Sequence, residues 1–342
     1  MPKRATSRDV AKAAGVSRTT VSLVLNNVPG IRISDATRER VTDAAKRLNY
    51  HPDITGRKLA SGKSFTLGLV LRQNPEQIFA DAFLLQVILG AEHAAEQDGF
   101  RVLVKPLEPE NPSGYGGLIH ENHVDGIILS GPRHDDAEIV RIHQEGFPIV
   151  LMGQLPGQEI PFVDIDAVNG AKTATQHLIE LGHTRIAMIT NAPLAYTSAH
   201  QRQAGYQQAL VEAGIQPDDS LLREGNFTPA SGYEAMGDLL TVSPRPTAVF
   251  AASDVVAMGA MQAIKRAGLN IPADIAVVGF DDVPLAEYYD PPLSTVRLPA
   301  YGLGWAAGER LSRLVRGDTL DQVGVLLETE LIARDSSAKT SR

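Results

Sequence analysis

The chain has 342 residues, 43% of them hydrophobic, no cysteine and a formal charge of −8. That length supports two or three units with real cores, and the missing cysteines exclude disulfides and thiolate metal sites, as suits a reducing cytoplasm. No apolar run follows the basic Met1-Pro2-Lys3-Arg4 start and no uncharged stretch approaches the ~20 residues of a membrane span, so neither export nor a membrane is expected.

The charge is unevenly spread. Residues 1–63 hold thirteen lysines and arginines against five acids, a net +8, which leaves −16 on the remainder. A basic head on an acidic body suits a protein that docks one end on phosphates. Within the head, Thr6 followed by Asp9 reads as a capping pair, and Val10, Ala11 and Ala14 share one helix face. Gly15 supplies the left-handed position that stops this helix, and Ser17 caps a second one whose apolar stripe is Val21, Val24 and Leu25. Two short helices about a tight glycine turn are a helix-turn-helix. Removing the buried stripe leaves Arg18, Thr19, Ser22, Leu23 and Asn26 on one outward face of the second helix, narrow enough for the major groove of double-stranded DNA. Arg18 is suited to read a guanine bidentately, and Leu23 to touch a thymine methyl or nothing. Thr6, Thr20, Ser22 and Asn26 suit phosphate contacts that fix register. Residues 34–48 read as a third helix, capped by Ser34, with Val41, Ala44, Ala45 and Leu48 at the apolar period.

The pieces Asp9-Val10-Ala11, Ala14-Gly15-Val16-Ser17, Thr20-Val21-Ser22 and Leu25-Asn26 closely resemble the headpiece of the lactose-repressor/galactose-repressor family. By that resemblance Arg18 and Thr19 hold the positions that set operator preference. The run from Tyr50 to Gly62, with Pro52, Arg57 and Leu59, is similar to the family's hinge helix. The resemblance implies that Leu59 enters the minor groove as an apolar wedge, with Arg57 near the backbone. Asp53 and Gly56 depart from the family pattern of Asn and Ala, and Gly56 raises the cost of ordering the hinge by roughly 1 kcal/mol. Such a hinge is expected to order only in a dimer on DNA.

From Phe65 onward strand-like and helix-like runs alternate. Strands are expected at 67–71, 102–104, 126–129, 149–152, 162–165, 186–189, 248–251 and 275–280, with helices at 83–97, 171–181, 203–213 and 255–267. Near-continuous apolar strands alternating with helices mean parallel sheets covered on both faces, and the length fits two doubly wound sheets. The glycine-rich segment 111–122 predicts a truncated helix. In open parallel sheets ligands bind beyond the carboxyl ends of the strands. That places Phe79, Ser130, residues 191–196, Phe227, Ser253-Asp254 and Asp281-Asp282 near a site, with Arg202 opening the helix after residue 189.

The body also resembles the family, at Leu181-Gly182-His183, Arg202-x-x-Gly205-Tyr206, Pro246-Thr247-Ala248, Ser253-Asp254, Gly279-Phe280-Asp281-Asp282 and Pro292-Leu293-Ser294-Thr295-Val296. The implied fold is a small all-α helix-turn-helix headpiece with a hinge helix, then an α/β body like the periplasmic sugar-binding proteins. Residues 1–49 would be the head, 50–63 the hinge and 64–342 the effector-binding and dimerisation body. One subdomain would comprise about 64–164 plus 298–326, the other about 165–297 plus 327–338. Carried over by position, Arg202 and Asp281 would grip the effector, Phe79 and Phe227 would form apolar walls, and Tyr196 would add a third. Asp254 matches a family acid near the cleft or simply caps a helix.

The expected protein is therefore a cytoplasmic homodimer that represses transcription at a near-palindromic operator under a small-molecule effector, a carbohydrate before a purine. No nucleophile elbow, P-loop or dinucleotide fingerprint is present, so neither an enzyme nor a cofactor is expected. His120, Glu121 and His123 are not expected to bind metal, and the polar tail 335–342 has no heptad run for a tetramerising coiled coil. The competing readings are a transport-type binding protein and a sugar enzyme indifferent to DNA.

Overall fold

Thr6 begins the first helix through a reciprocal cap. Its backbone N–H donates to Asp9 Oδ2 at 2.8 Å, while its Oγ1 accepts from the Asp9 N–H at 3.4 Å. The computed structural model describes residues 5–25, 32–50, 62–108, 114–121 and 123–338 of a chain that forms two compact units, 1–65 and 66–342. In the first unit the Ser7–Ala14 helix stops at Gly15, whose φ is +65°. Ser17 Oγ accepts from the Thr20 N–H at 3.0 Å and starts the helix Arg18–Leu25. The third helix is Asp35–Arg47; Ser34 precedes it with extended backbone, but its hydroxyl donates to Thr37 Oγ1 instead of capping an amide. Val10, Ala14, Val21, Val24, Val41 and Ala44 are among the side chains buried between the three helices. Arg40 Nε donates to the Ala14 carbonyl at 3.3 Å, satisfying a carbonyl at the end of the first helix.

The second unit holds two parallel sheets. The first contains β1 (Thr66–Leu71), β2 (Arg101–Pro106), β3 (Gly126–Ser130), β4 (Ile149–Met152), β5 (Phe162–Ile165) and β11 (Gly324–Leu327), ordered β11-β5-β4-β3-β1-β2. The second contains β6 (Ile186–Ile189), β7 (Leu222–Arg223), β8 (Ala248–Ala251) and β9 (Ala276–Val278), ordered β7-β6-β8-β9. β10 (Thr295–Arg297) and β12 (Glu330–Ile332) pair antiparallel. β4, β6 and β8 are buried along their whole length because helices cover both faces, which is why they read as unbroken apolar runs. Edge strand β2 alternates exposed and half-buried residues, so only its middle looked strand-like in sequence. β9 ends before the expected run does, since the chain turns at Gly279 toward Asp281, where φ is +125°. The expected truncated helix is Gly116–His120.

The chain passes from one sheet to another four times, after β5, after β9, after β10 and after β11. On the first sheet, helix Ala82–Gln97 packs against helix Ala300–Arg316. The approach is so close that a Cβ on Gly304 would lie 2.0 Å from the Val87 carbonyl oxygen, and one on Gly90 would lie 2.1 Å from that of Tyr301. Helix Thr197–Glu212 starts six residues before its expected onset, so Arg202 lies within it and does not open it. Its first turns bury Thr197, Ala199 and Arg202, a polar mixture that hides the apolar stripe.

Candidate functional site

Arg18, Thr19 and Ser22 are exposed on the second helix of the head, with Thr20 and Leu23 half-buried. Val21 and Val24 point into the core. Arg18, Thr19 and Ser22 therefore face outward as spacing predicted, while Leu23 of the same expected face is half-buried; a helix of this width suits a DNA major groove. Arg18 Nε reaches back to Ser7 Oγ at 3.4 Å. Two hydroxyls are engaged locally: Thr6 Oγ1 donates to Asp9 Oδ2 at 2.7 Å, and Thr20 Oγ1 lies 2.9 Å from Ser17 Oγ. Asn26, Arg57 and Leu59, and the hinge with them, lie outside the described residues.

In the body the carboxyl ends of both parallel sheets face one cleft, where ligands of open parallel sheets bind. Arg202 and Asp281 form its charged centre. One Arg202 nitrogen lies 3.7 Å from Asp281 Oδ1 and donates to the Ala252 carbonyl, while the guanidinium stacks 4.1 Å from the Phe280 ring centre. Burial pushes the Asp281 carboxyl well above the usual range, against the pull of Arg202; burial likewise lowers Arg202, against the pull of Asp281 first and then Asp164. Phe227 and Asp281 both line the cleft with left-handed backbone, φ +55° and +125°. Strain of this kind persists where the surrounding structure dictates it; here the Phe227 N–H donates to the Asn191 carbonyl and the Asp281 N–H to that of Val296.

Of the six side chains expected around the effector, Arg202, Asp281 and Phe227 come together in the lining. Tyr196 backs the wall without forming it: its ring packs edge-on to Phe227 at 5.2 Å, and its buried hydroxyl donates to the Arg72 carbonyl at 3.0 Å. Phe79 is 68% exposed and outside the lining. The short helix Pro75–Ala80 ends there, and Asp81 Oδ1 then caps the next helix by accepting from the Phe83 N–H at 2.9 Å, so Phe83 lines the cleft instead. Asp254 is fully buried behind the cleft, where it accepts from Thr295 Oγ1 at 2.6 Å and from the Val283 N–H at 2.9 Å. It anchors the loop that presents Asp281 and leaves no edge for a ligand.

Sequence reasoning missed Arg72, Asp81 and Asp164. Arg72 directly follows β1, at a carboxyl end, and forms a buried pair with Asp136 at 2.5 Å. Asp81 looks like a helix cap and is one, yet it also lines the cleft. Asp164 lies inside an apolar strand run, and an acid at that position was the available signal; it accepts from Gln154 Nε2 at 3.0 Å. Asp281 and Asp282 do not converge as paired acids would: Asp282 turns to Arg297 at 2.7 Å and Arg334 at 2.8 Å. Among the described residues no group of His, Cys, Asp or Glu is placed to hold a metal, and no helix is long and apolar enough to cross a membrane.

A helix-turn-helix unit and a two-lobed body with a polar interlobe cleft define a transcription regulator with a ligand-binding body. Residues 6–53 match the family of bacterial regulatory proteins, lacI family, and residues 175–337 match the periplasmic binding protein-like domain. The chain is 37% identical over 338 residues to the HTH-type transcriptional regulator CelR of Thermobifida fusca, covering 98% of each chain. It is 36% identical over 338 residues to the HTH-type transcriptional repressor CytR of Escherichia coli K12, covering 97% of this chain and 96% of that one. Among solved structures, a CelR–cellobiose complex matches with a TM-score of 0.76 at 36% identity, covering 98% of this chain and all of that one. The lac repressor dimer bound to operator and the anti-inducer ONPF matches with a TM-score of 0.84 at 32% identity, covering 98% and 99%. The chain belongs to the lacI family of bacterial transcription regulators.

Proposed function

We propose that this regulator is a cytoplasmic repressor that binds a near-palindromic operator as a homodimer and is controlled by a carbohydrate held in the cleft. The observation that carries the effector is the buried Arg202–Asp281 pair beside the aromatic rings of Phe227 and Phe83. A guanidinium fork and a carboxylate suit vicinal hydroxyls, and a flat apolar ring suits the C–H face of a sugar. The cellobiose in the CelR complex supports a carbohydrate over a purine.

On the operator, Arg18 and Thr19 read bases, Leu23 meets a thymine methyl, and Thr6, Thr20, Ser22 and Asn26 fix register on phosphates. Leu59 wedges the minor groove with Arg57 beside it. Coupling runs through adjacent residues: Asp281 meets the effector while Asp282 holds Arg297 and Arg334, one on a crossing strand and one beyond the last crossing. Effector-driven closure of the lobes thereby alters the paired hinges and the DNA affinity, a coupling of two sites.

The test is a thermal-shift screen of sugars and nucleobases on the full chain, followed by operator titrations with and without each hit. The expected result is a sugar that raises the melting temperature and changes operator affinity at least fivefold. A hit that leaves DNA affinity unchanged refutes the control, and a protein with no preference for any duplex over random competitor refutes the repressor.

A further inference from the structure

The cleft carries more negative than positive charge, and the surplus surrounds Arg202. The other lining cation, Arg72, is already matched: it pairs with Asp136 at 2.5 Å, both side chains buried, and donates to the Tyr115 hydroxyl. Among the described lining residues Arg202 is then the one counter-charge left for Asp81, Asp164 and Asp281, all of which line the cleft, with Asp254 behind them. Burial holds the carboxyls of Asp81, Asp164 and Asp281 above their ordinary range, against the pull of Arg202. A second observation points to a ligand. Four buried atoms of lining residues have no hydrogen-bond partner among the described residues: Gln73 Oε1 and Asn191 Oδ1, which accept, and Arg72 Nε and Arg202 Nε, which donate. Hydroxyl groups, which both donate and accept, satisfy such a set. A phosphate or carboxylate would add to the surplus in a desolvated site.

We propose that the effector is an aminated carbohydrate whose ammonium group sits among Asp81, Asp164 and Asp281 while its ring hydroxyls meet Gln73, Asn191 and Arg202. This rests on the reading of the cleft as a carbohydrate effector site. An ammonium is all donor and matches carboxylates that have lone pairs to spare. Discrimination comes from repulsion as much as attraction, since phosphorylated sugars meet uncompensated acids.

The experiment titrates the full chain by calorimetry with matched ligands: glucose, glucosamine, N-acetylglucosamine and glucose 6-phosphate, the galactose counterparts, and cellobiose beside the glucosamine disaccharide. Within a scaffold that binds, the amine is expected to bind at least tenfold tighter than the neutral parent, acetylation to remove that advantage, and the phosphate ester not to bind. Asp164→Asn is expected to bring the amine-to-neutral affinity ratio close to one. A neutral sugar binding as tightly as its amine, a phosphate ester that binds, or an unchanged ratio in Asp164→Asn overturns the amine assignment while the carbohydrate reading stands. Silence from every ligand overturns both.

Discussion

The guanidinium of Arg202 lies 3.7 Å from the carboxylate of Asp281, and each side chain is less than a tenth exposed. A buried pair of this kind adds little to stability by itself, but removing one partner strands the other. Asp81, Asp164 and Asp254 raise what is at stake, because their charges also fall on Arg202. Arg202→Lys keeps the charge and gives up the planar fork and the stacking on Phe280. It should weaken effector binding at least tenfold by calorimetry while the melting temperature stays within a few degrees of the parent. Arg202→Ala should also destabilise the body by about 3 kcal/mol in denaturant titration. Parent-like affinity in Arg202→Lys would remove this residue from the effector contact.

Asp254 makes the body's stability depend on pH in a stated direction. Burial raises its carboxyl from the ordinary 3.8 to about 6, so the folded state prefers the protonated form. Its contribution is therefore fully present below about pH 4 and lost as the pH rises through about 6. Asp81, Asp164 and Asp281 are raised too and act in the same sense. Scanning calorimetry should show the body melting several degrees higher at pH 5.5 than at 7.5. Asp254→Asn should flatten part of that slope, because its amide still bonds the Val283 N–H through oxygen and the Thr295 hydroxyl rotates to accept. An unaltered slope in this variant would assign the pH effect elsewhere.

Beside the cleft the Tyr196 hydroxyl donates to the Arg72 carbonyl, and the Thr197 N–H donates to the Pro132 carbonyl at 3.1 Å, all four residues buried. These bonds tie the two lobes where they meet. Tyr196→Phe keeps the edge-on packing against Phe227 and removes one tie, leaving a buried carbonyl short of a partner. The effector should dissociate several-fold faster by stopped-flow while the association rate changes little. An unchanged dissociation rate would mean that the cleft does not open through this contact.

Much of this architecture could be read from residues alone, for identifiable physical reasons. β4, β6 and β8 fell on their expected residues because strands covered on both faces are apolar throughout, and β5 did so although it alternates and holds Asp164. β7, β10, β11 and β12 were not expected: each has two to four residues, too few to show a period. The capping box at Thr6 and the turn at Gly15 are local chemistry and were legible. The cleft was harder, since its polar groups come from strand ends far apart in sequence. Asp81 reads as a cap, Asp164 as a strand interior and Arg72 as the end of an apolar run, and only the fold places all three on one lining.

The two helices Ala82–Gln97 and Ala300–Arg316 meet at Gly90 and Gly304, where a Cβ would collide with backbone rather than with a movable side chain. Gly304→Ala should therefore cost about 1–3 kcal/mol in denaturant titration, as overpacking does. Gly317→Ala serves as a contrast. Nothing lies within 4 Å of its Cβ position, but its φ of +92° strains any other residue, so its loss should be backbone strain of about 1 kcal/mol. A Gly304→Ala body as stable as the parent would mean that the helices part without penalty.

Arg18 and Leu59 should fail in different ways on DNA. Arg18 is exposed at the start of the second head helix, where side chains meet base edges. Arg18→Ala should cost about 1–3 kcal/mol per half-site on an operator selected from random duplexes and relax the preference at one base pair in each half. The salt dependence should barely change, since few phosphate contacts are lost. Leu59→Ala should weaken operator binding far more than nonspecific binding, because a wedge that kinks the duplex is used only at the operator centre. Anisotropy titrations on the operator, its singly substituted variants and random duplex, at three salt concentrations, separate these outcomes. A uniform loss across all sequences for Arg18→Ala would make it a phosphate contact, and equal specific and nonspecific losses for Leu59→Ala would deny it the wedge.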